Sequence, residues 1–394
     1  MTVHWIDVST MQRQKCVLAC RRLLGRHTYN ALAKRIEIIH KDFRIENKVA
    51  KITTDNGNNF VKAFRVFGEV DSNDYWPEVG EELEEDDVTV VADIAAILEG
   101  GSGDRSAEEL YILPKHIRCA AHSLNLVATT DAEKALASSS SYKKTCRSAF
   151  GKARELWYKQ CRSTHAADVI KTELGKMLVV PTTTRWNSIF DSVSSLVTAI
   201  EGKNIELHTV CSSLKLPMFS ATDVTFLNEY CLVMKPVAIT LDILQAEEKA
   251  YMGLLLPVIT LCIKKLGGIR EKNLKVCEPL LEEVLNGIQA RFAAQMEDID
   301  CLLAAAFHPQ YKLSWLTAQD NVKYNWVRDK MISIVDMNIM EEKSTNSSSD
   351  EDENVENFFN ELHTSTKNAM DGAMLVNNYL ESPVSQMLPN PSVF

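Results

Sequence analysis

A chain of 394 residues that is 45% hydrophobic and 24% charged is long enough to bury one or two cores, and no uninterrupted apolar run reaches the length of a membrane span. Its first residues lack a basic stretch followed by an apolar one, which argues against a secretory leader, and its ten cysteines form no CxxC pair, which argues for reduced thiols over a disulfide scaffold. The net charge of −10 hides a segregation: residues 69–109 carry fifteen Asp/Glu against one Arg, residues 341–361 carry eight against one Lys, and the remainder is about +11. Such a layout permits a nucleic-acid partner that the acidic average would exclude, although acidic stretches are also ordinary solvated linkers.

Residues 3–6 and 16–20 read as short strands around a polar turn, Asp7 to Gln14. Thr28 stands where an N-cap belongs, and Leu32, Ile36, Ile39 and Phe43 follow at helical spacing. Val49 to Thr54 is a compact strand ending at Asp55, and Asn56-Gly57-Asn58-Asn59 turns sharply into a helix from Val61 to Phe67. This order suits an α/β sheet with a ligand crevice at its strand ends. Residues 69–109 form an acidic linker containing Glu99-Gly100-Gly101-Ser102-Gly103. Residues 110–340 read as helices, with apolar stripes at Ile189, Val193, Leu196 and Ile200, at Leu227, Tyr230, Met234, Val237, Leu241 and Leu244, and at Leu281, Leu285, Ile288, Phe292 and Met296. His308-Pro309 ends the helix that carries Leu302 and Leu303. Residues 341–361 are an acidic disordered linker, and 362–394 are a helix followed by an extended connector. The fold class expected is α/β plus α: a partial, three-stranded sheet on residues 1–68 and a large all-helical domain after it.

Asp55 is the first candidate site residue. A carboxylate at a strand end is held rigidly and faces solvent, as a ligand of a divalent metal must; Asp before a helix is also a plain N-cap. Cys119-x-x-His122 and Cys161-x-x-x-His165 have zinc-ligand residue types, but 38 residues separate the pairs and His122 lies on an apolar helix. The expectation is instead that His122 ties helix to sheet through hydrogen bonds and that Cys119 is a small buried residue. Arg185 and Trp186 are the DNA-contact candidates, because an exposed Trp stacks on an unpaired base and Arg holds phosphate; a Trp there could equally fill a helical core. No Walker-type loop, dinucleotide fingerprint or Ser/His/Asp arrangement stands out, so no small-molecule substrate is expected.

Ile52-Thr53-Thr54-Asp55-Asn56, then Cys119-x-x-His122 with Leu124-Asn125-Leu126, then Thr184-Arg185-Trp186-Asn187-Ser188 resemble, in order, signatures of the hAT superfamily of DNA transposases. Ala304 to Leu313 resembles the family's Leu-Asp-Pro-Arg-Phe/Tyr-Lys segment, with Phe307-His308 where Leu-Asp is usual and Gln310 in place of Arg. The resemblance implies an RNase H-like sheet whose first strand is missing here, followed by a helical insertion that begins at the Cys119–His122 motif and carries Arg185, Trp186 and Asn187. It implies that Asp55 is the second of three acidic residues that hold two Mg²⁺ for phosphodiester chemistry, and that Trp186 descends from a residue that meets a flipped base. The family's first catalytic Asp belongs on a strand before Val3 to Ile6, and its third carboxylate lies shortly beyond Phe394. Asp7 sits in a turn beyond its strand and does not replace the first. Asp55 is therefore expected to be vestigial, binding Mg²⁺ weakly, with no cofactor required. The BED-type zinc finger and the dimerisation region of the family are not in the chain. The expected protein is nuclear, transposon-derived and catalytically inactive. Its expected partners are DNA or other proteins and not a membrane, with any DNA affinity in the helical domain. Two alternatives stand beside it: a metal-dependent DNA-processing enzyme completed by the missing segments, and a non-functional fragment.

Overall fold

The structure is a computed structural model that describes residues 1–7, 9–10, 12–23, 25–68, 112–182, 187–246, 251–316, 320–345 and 371–384. The acidic segment 69–109, most of 341–361, and Arg185 and Trp186 lie outside the described residues. The described part is mostly helical with a small strand component in two sheets.

Strands β1 (Thr2–Asp7) and β2 (Gln12–Val17) form a two-stranded sheet. Asp7 nucleates the reversal between them: its Oδ1 accepts from the Ser9 and Thr10 backbone N–H groups at 2.9 and 3.0 Å and from the Ser9 hydroxyl at 2.6 Å. Helix α1 (Tyr29–Phe43) starts at Thr28, whose hydroxyl accepts the Ala31 N–H, and ends where Arg44 turns left-handed at φ 54°. Strand β3 (Lys51–Thr54) leads into α2 (Asn58–Phe67), and β4 (Lys115–Arg118) lies parallel to β3, with Lys51 opposite Lys115 and Thr54 opposite Arg118. Ala33 and Ile36 of α1, Ala63 and Phe64 of α2, and Leu113 make the buried core here, with Tyr29, Ile52 and Phe67 packed against it. Gly68 bridges to Leu113, whose N–H donates to the Phe67 carbonyl at 2.7 Å, so the two ends of segment 69–112 meet.

The three-stranded sheet expected on residues 1–68 does not form. Among the described residues the four strands make two separate pairs. β1 takes its nearest neighbour in sequence as a hairpin, while β3 pairs with β4, which follows the acidic segment. Met1–Trp5 and Lys15–Ser123 pack as one unit, and Ile6–Gln14 and Leu124–Phe394 as another. The helical domain thus begins at Leu124 and not at residue 110, because β4 is held by its pairing with β3.

Helix α3 (Ala120–Leu126), whose first four residues belong to the first unit, runs in the second unit through a π-helical turn, Val127–Asp131, into α4 (Ala132–Ser138). There follow α5 (Ser140–Arg162), α6 (Thr164–Leu174), α7 (Asn187–Gly202), α8 (Asn204–Ser213), α9 (Ala221–Gln245) and α10 (Met252–Arg270). The remaining helices are α11 (Glu278–Glu297), α12 (Ile299–Ala306), α13 (Asn321–Thr345) and α14 (Gly372–Glu381). The first five residues of the expected disordered linker at 341–361 therefore continue a helix.

Helix α9 is the axis of this unit. Phe226, Leu227, Val233, Met234, Val237 and Leu241 are fully buried on it. Phe150 of α5 meets the rings of Phe226 and Tyr230 edge-on, with centroids 5.6 and 5.2 Å apart. A capping box between Ser220 and Asp223 starts α9, and Lys152 of α5 reaches the same Asp223 carboxylate at 2.5 Å. Burial alone would raise the Asp223 pKa, but the hydrogen bonds from Lys152 and Ser220 outweigh it and hold the carboxyl down at about 2. Helices α9 and α10 are long and apolar enough to cross a membrane by length and composition, but just over half of each apolar stretch is buried against neighbouring helices.

Two polar features fix the ends of this unit. Asp131, at the close of the π turn, is 2% exposed and receives Arg291 of α11, Nε to Oδ2 at 2.5 Å and Nη2 to Oδ1 at 3.2 Å, with Lys134 at 2.8 Å. Gly287 makes room for it, since a Cβ there would stand 2.7 Å from the Asp131 Oδ2. Lys312, buried with φ 49°, puts its ammonium against the C-terminal end of α14, 2.6 Å from the Tyr379 carbonyl and 2.8 Å from the Ser382 hydroxyl, and also bonds the Ser382 carbonyl.

Candidate functional site

Asp55 stands exposed at the C-terminal end of β3, and its Oδ1 accepts the Gly57 N–H at 3.2 Å. The N-cap of α2 is Gly57, so Asp55 holds the turn before the helix and does not cap it. Behind Asp55 the Thr54 hydroxyl donates to the Asp55 carbonyl at 2.8 Å and lies 2.8 Å from Nε2 of His116 on β4. Because that hydroxyl proton is already committed, the imidazole is the donor, through Nε2–H. Its Nδ1 is then a bare acceptor, buried without a partner among the described residues. The ring stacks on Phe64 with centroids 4.3 Å apart and planes 4° from parallel. Burial, and next the charge of Arg118, push the His116 pKa down to about 4.

The helix that follows β4 is joined to this corner by Ser123, whose hydroxyl accepts from Nδ2 of buried Asn56 at 3.0 Å, and by the Cys119 N–H, which donates to the Thr54 carbonyl at 2.8 Å. Asn56 Oδ1 is a second buried acceptor without a partner among the described residues. The role expected of His122 therefore falls to its neighbour Ser123 and to His116. His122 is half-buried and has no hydrogen-bond partner among the described residues, and Cys119 is half-buried and acts through its backbone. Cys161 and His165 are exposed, and among the described residues no three His, Cys, Asp or Glu side chains converge as metal ligands. A two-Mg²⁺ centre needs several converging carboxylates. This corner offers one, beside an amide, hydroxyls and an imidazole that donates, so its residues do not fit such a centre.

Asn187 begins α7 and donates from Nδ2 to Asp242 Oδ1 of α9 at 2.5 Å. Ser188 donates to the Thr182 carbonyl at 2.8 Å and accepts the Thr182 N–H at 3.0 Å, which pins the chain on either side of residues 183–186. Burial and the nearby Asp242 raise the Asp191 pKa. Asn125 contributes its backbone carbonyl, which accepts the Thr129 hydroxyl inside the π turn at 2.9 Å. Sequence reasoning missed His116, Ser123, Asp131 and Lys312. A signal existed only for Lys312, in the segment around Pro309.

The charge of the protein is not where it was expected. Residues 1–68 and 112–123 carry fifteen Lys/Arg against five Asp/Glu, a net of +10, whereas residues 124–340 are only +2. No family model matches the chain, and no curated protein matches it.

The depressed pKa of His116 has a consequence for stability. The folded protein keeps this ring neutral down to about pH 4, while the unfolded chain takes up a proton near 6.5. The contribution of His116 should lower stability as the pH drops from 6.5 to about 4 and change no further below that. Replacing His116 with Asn should flatten that slope, leaving the part due to His40 and His308, which burial also depresses. Urea denaturation at successive pH values measures it, and an unchanged slope would remove His116 from the account.

Proposed function

We propose that the chain is a hAT transposase-derived protein that associates with nucleic acid in the nucleus and does not cut it. The observation that carries this reading is the segregation of charge: a folded part at +10 in residues 1–68 and 112–123, and two acidic segments that together carry −21. A basic folded surface attracts phosphate through Coulomb steering and counterion release. An RNase H-like origin is supported by the parallel β3–β4 pair, by Asp55 at the end of β3, and by the Cys119–His122 segment directly after β4. Those elements place one carboxylate where a metal-dependent strand-transfer site would need three.

The test has two readouts. The full chain should bind labelled duplex DNA at low salt by fluorescence anisotropy, with affinity falling steeply as salt rises. It should leave supercoiled plasmid intact in Mg²⁺ or Mn²⁺. Nicking that disappears in Asp55→Ala would overturn the non-catalytic part and restore the reading as a metal-dependent DNA-processing enzyme.

A further inference from the structure

Helix α5 differs in charge from the unit around it. Its 23 residues hold seven basic side chains and one acidic, Glu155. Residues 124–139 and 163–340 together carry a net of −4. One face of α5 is core, with Tyr142, Ala149, Ala153, Leu156, Trp157 and Gln160 buried. The opposite face presents Lys144, Arg147, Arg154, Tyr158, Lys159 and Arg162, all exposed. Lys144, Arg147, Arg154, Tyr158 and Arg162 follow one another at steps of three, seven, four and four, so they share one side of the helix.

Of the basic residues, Lys152 is taken up by Asp223. The five exposed ones have no ion-pair partner among the described residues. Elsewhere in the unit the exposed Arg270 pairs with Glu282, and the half-buried Lys323 with Glu297. Like charges a turn apart weaken a helix, so an unrelieved row of them favours an external polyanion.

Two features choose the kind of polyanion. The Arg162 guanidinium lies 4.1 Å from the Tyr158 ring centroid and covers one face of that ring, the one aromatic in a row otherwise made of cations, which suits phosphate better than base stacking. From Lys144 to Arg162 the row runs about 27 Å at the helical rise, the length of about eight base-pair steps. We infer that the exposed face of α5 docks the phosphate backbone of duplex DNA. The inference rests on the nucleic-acid association proposed above and assigns it a surface within the helical unit.

The test compares three full-length proteins on one labelled duplex of about 20 base pairs, longer than the footprint. They are the unaltered chain, a variant with Lys144, Arg147, Arg154 and Arg162 each changed to Gln, and a control with the exposed Lys264, Lys265, Lys272 and Lys275 each changed to Gln. All three lose no buried contact, and matching thermal melts establish that they are folded. The α5 variant should bind at least tenfold more weakly at low salt, and the slope of log affinity against log salt should shrink by about 3 to 4. The control should change neither quantity by as much as half of that. If the α5 variant binds as the unaltered chain does, or if the control loses as much, the surface is wrong while nucleic-acid association stands. If the unaltered chain fails to bind, both fall.

Discussion

Replacing Arg291 with alanine should destabilise the helical unit by about 3–5 kcal/mol, because it strands a buried carboxylate. The side chains of Asp131 and Arg291 are 2% and 6% exposed and meet through two hydrogen bonds. Burial alone would raise the Asp131 pKa, but the bonds from Arg291 and Lys134 outweigh it and hold the group below its ordinary 3.8. A depressed carboxyl pKa contributes stability that is present above 3.8 and is lost as the pH falls through the lower, folded value. Without Arg291 the only partner among the described residues is Lys134, whose side chain is 56% exposed and worth little as a counter-charge. Urea denaturation at neutral pH followed by far-UV circular dichroism gives the size of the loss. The paired change Asp131→Leu with Arg291→Met should recover most of it, since two apolar groups leave no charge to desolvate. A loss of under about 1 kcal/mol for Arg291→Ala would mean that water reaches the pair in solution.

Excising residues 69–109 and closing the gap with a short Gly-Ser linker should raise the affinity for duplex DNA about tenfold or more at low salt. The segment carries a net of −14 in the same chain as the +10 of residues 1–68 and 112–123, so it competes with phosphate at high effective concentration. The excision is geometrically mild. Gly68 and Leu113 are bridged and the Leu113 N–H bonds the Phe67 carbonyl, so a few residues can join what the long segment joins now. The gain should vanish as salt approaches physiological strength, where charges beyond a Debye length of about 8 Å are screened. Equal affinity with and without the segment at low salt would show that it does not compete. Removing 341–361 as well, at a net of −7, should add a smaller increment.

What could be read in the sequence was whatever repeats with a local period. The helical stripes place Val193, Leu196 and Ile200 in the core, as they do Leu281, Leu285, Ile288 and Phe292. Thr28 caps α1 where the chain composition put an N-cap, and the helix before His308-Pro309 ends at Ala306. Strand β4 was illegible because Lys115-His116-Ile117-Arg118 has no alternation of its own; its conformation comes from pairing with β3, 64 positions earlier. The same distance hid His116, whose importance comes from Thr54 and Phe64 and not from its own neighbours in sequence. Asp131 and Arg291 are 160 residues apart, and nothing local to either marks a buried pair. Asp55 was legible as a strand-end carboxylate, but its surroundings were not, and they decide whether it can hold metal. The basic row on α5 was within reach, since its spacing is helical, but averaging charge over whole segments blurred it.

The pairing of β3 with β4 also sets a schedule for making this protein. A ribosome delivers Lys51–Thr54 long before Lys115–Arg118, and the acidic stretch emerges in between. Until Leu113 arrives, the cluster of Ala33, Ile36, Ala63 and Phe64 lacks one of its buried members, and β3 presents a bare edge. The first unit is therefore completed late in its own synthesis, and closing so long a loop slows its folding further. A nascent chain halted between Gly68 and Lys115 would expose both the apolar cluster and the strand edge, which is the window in which a chaperone would find it.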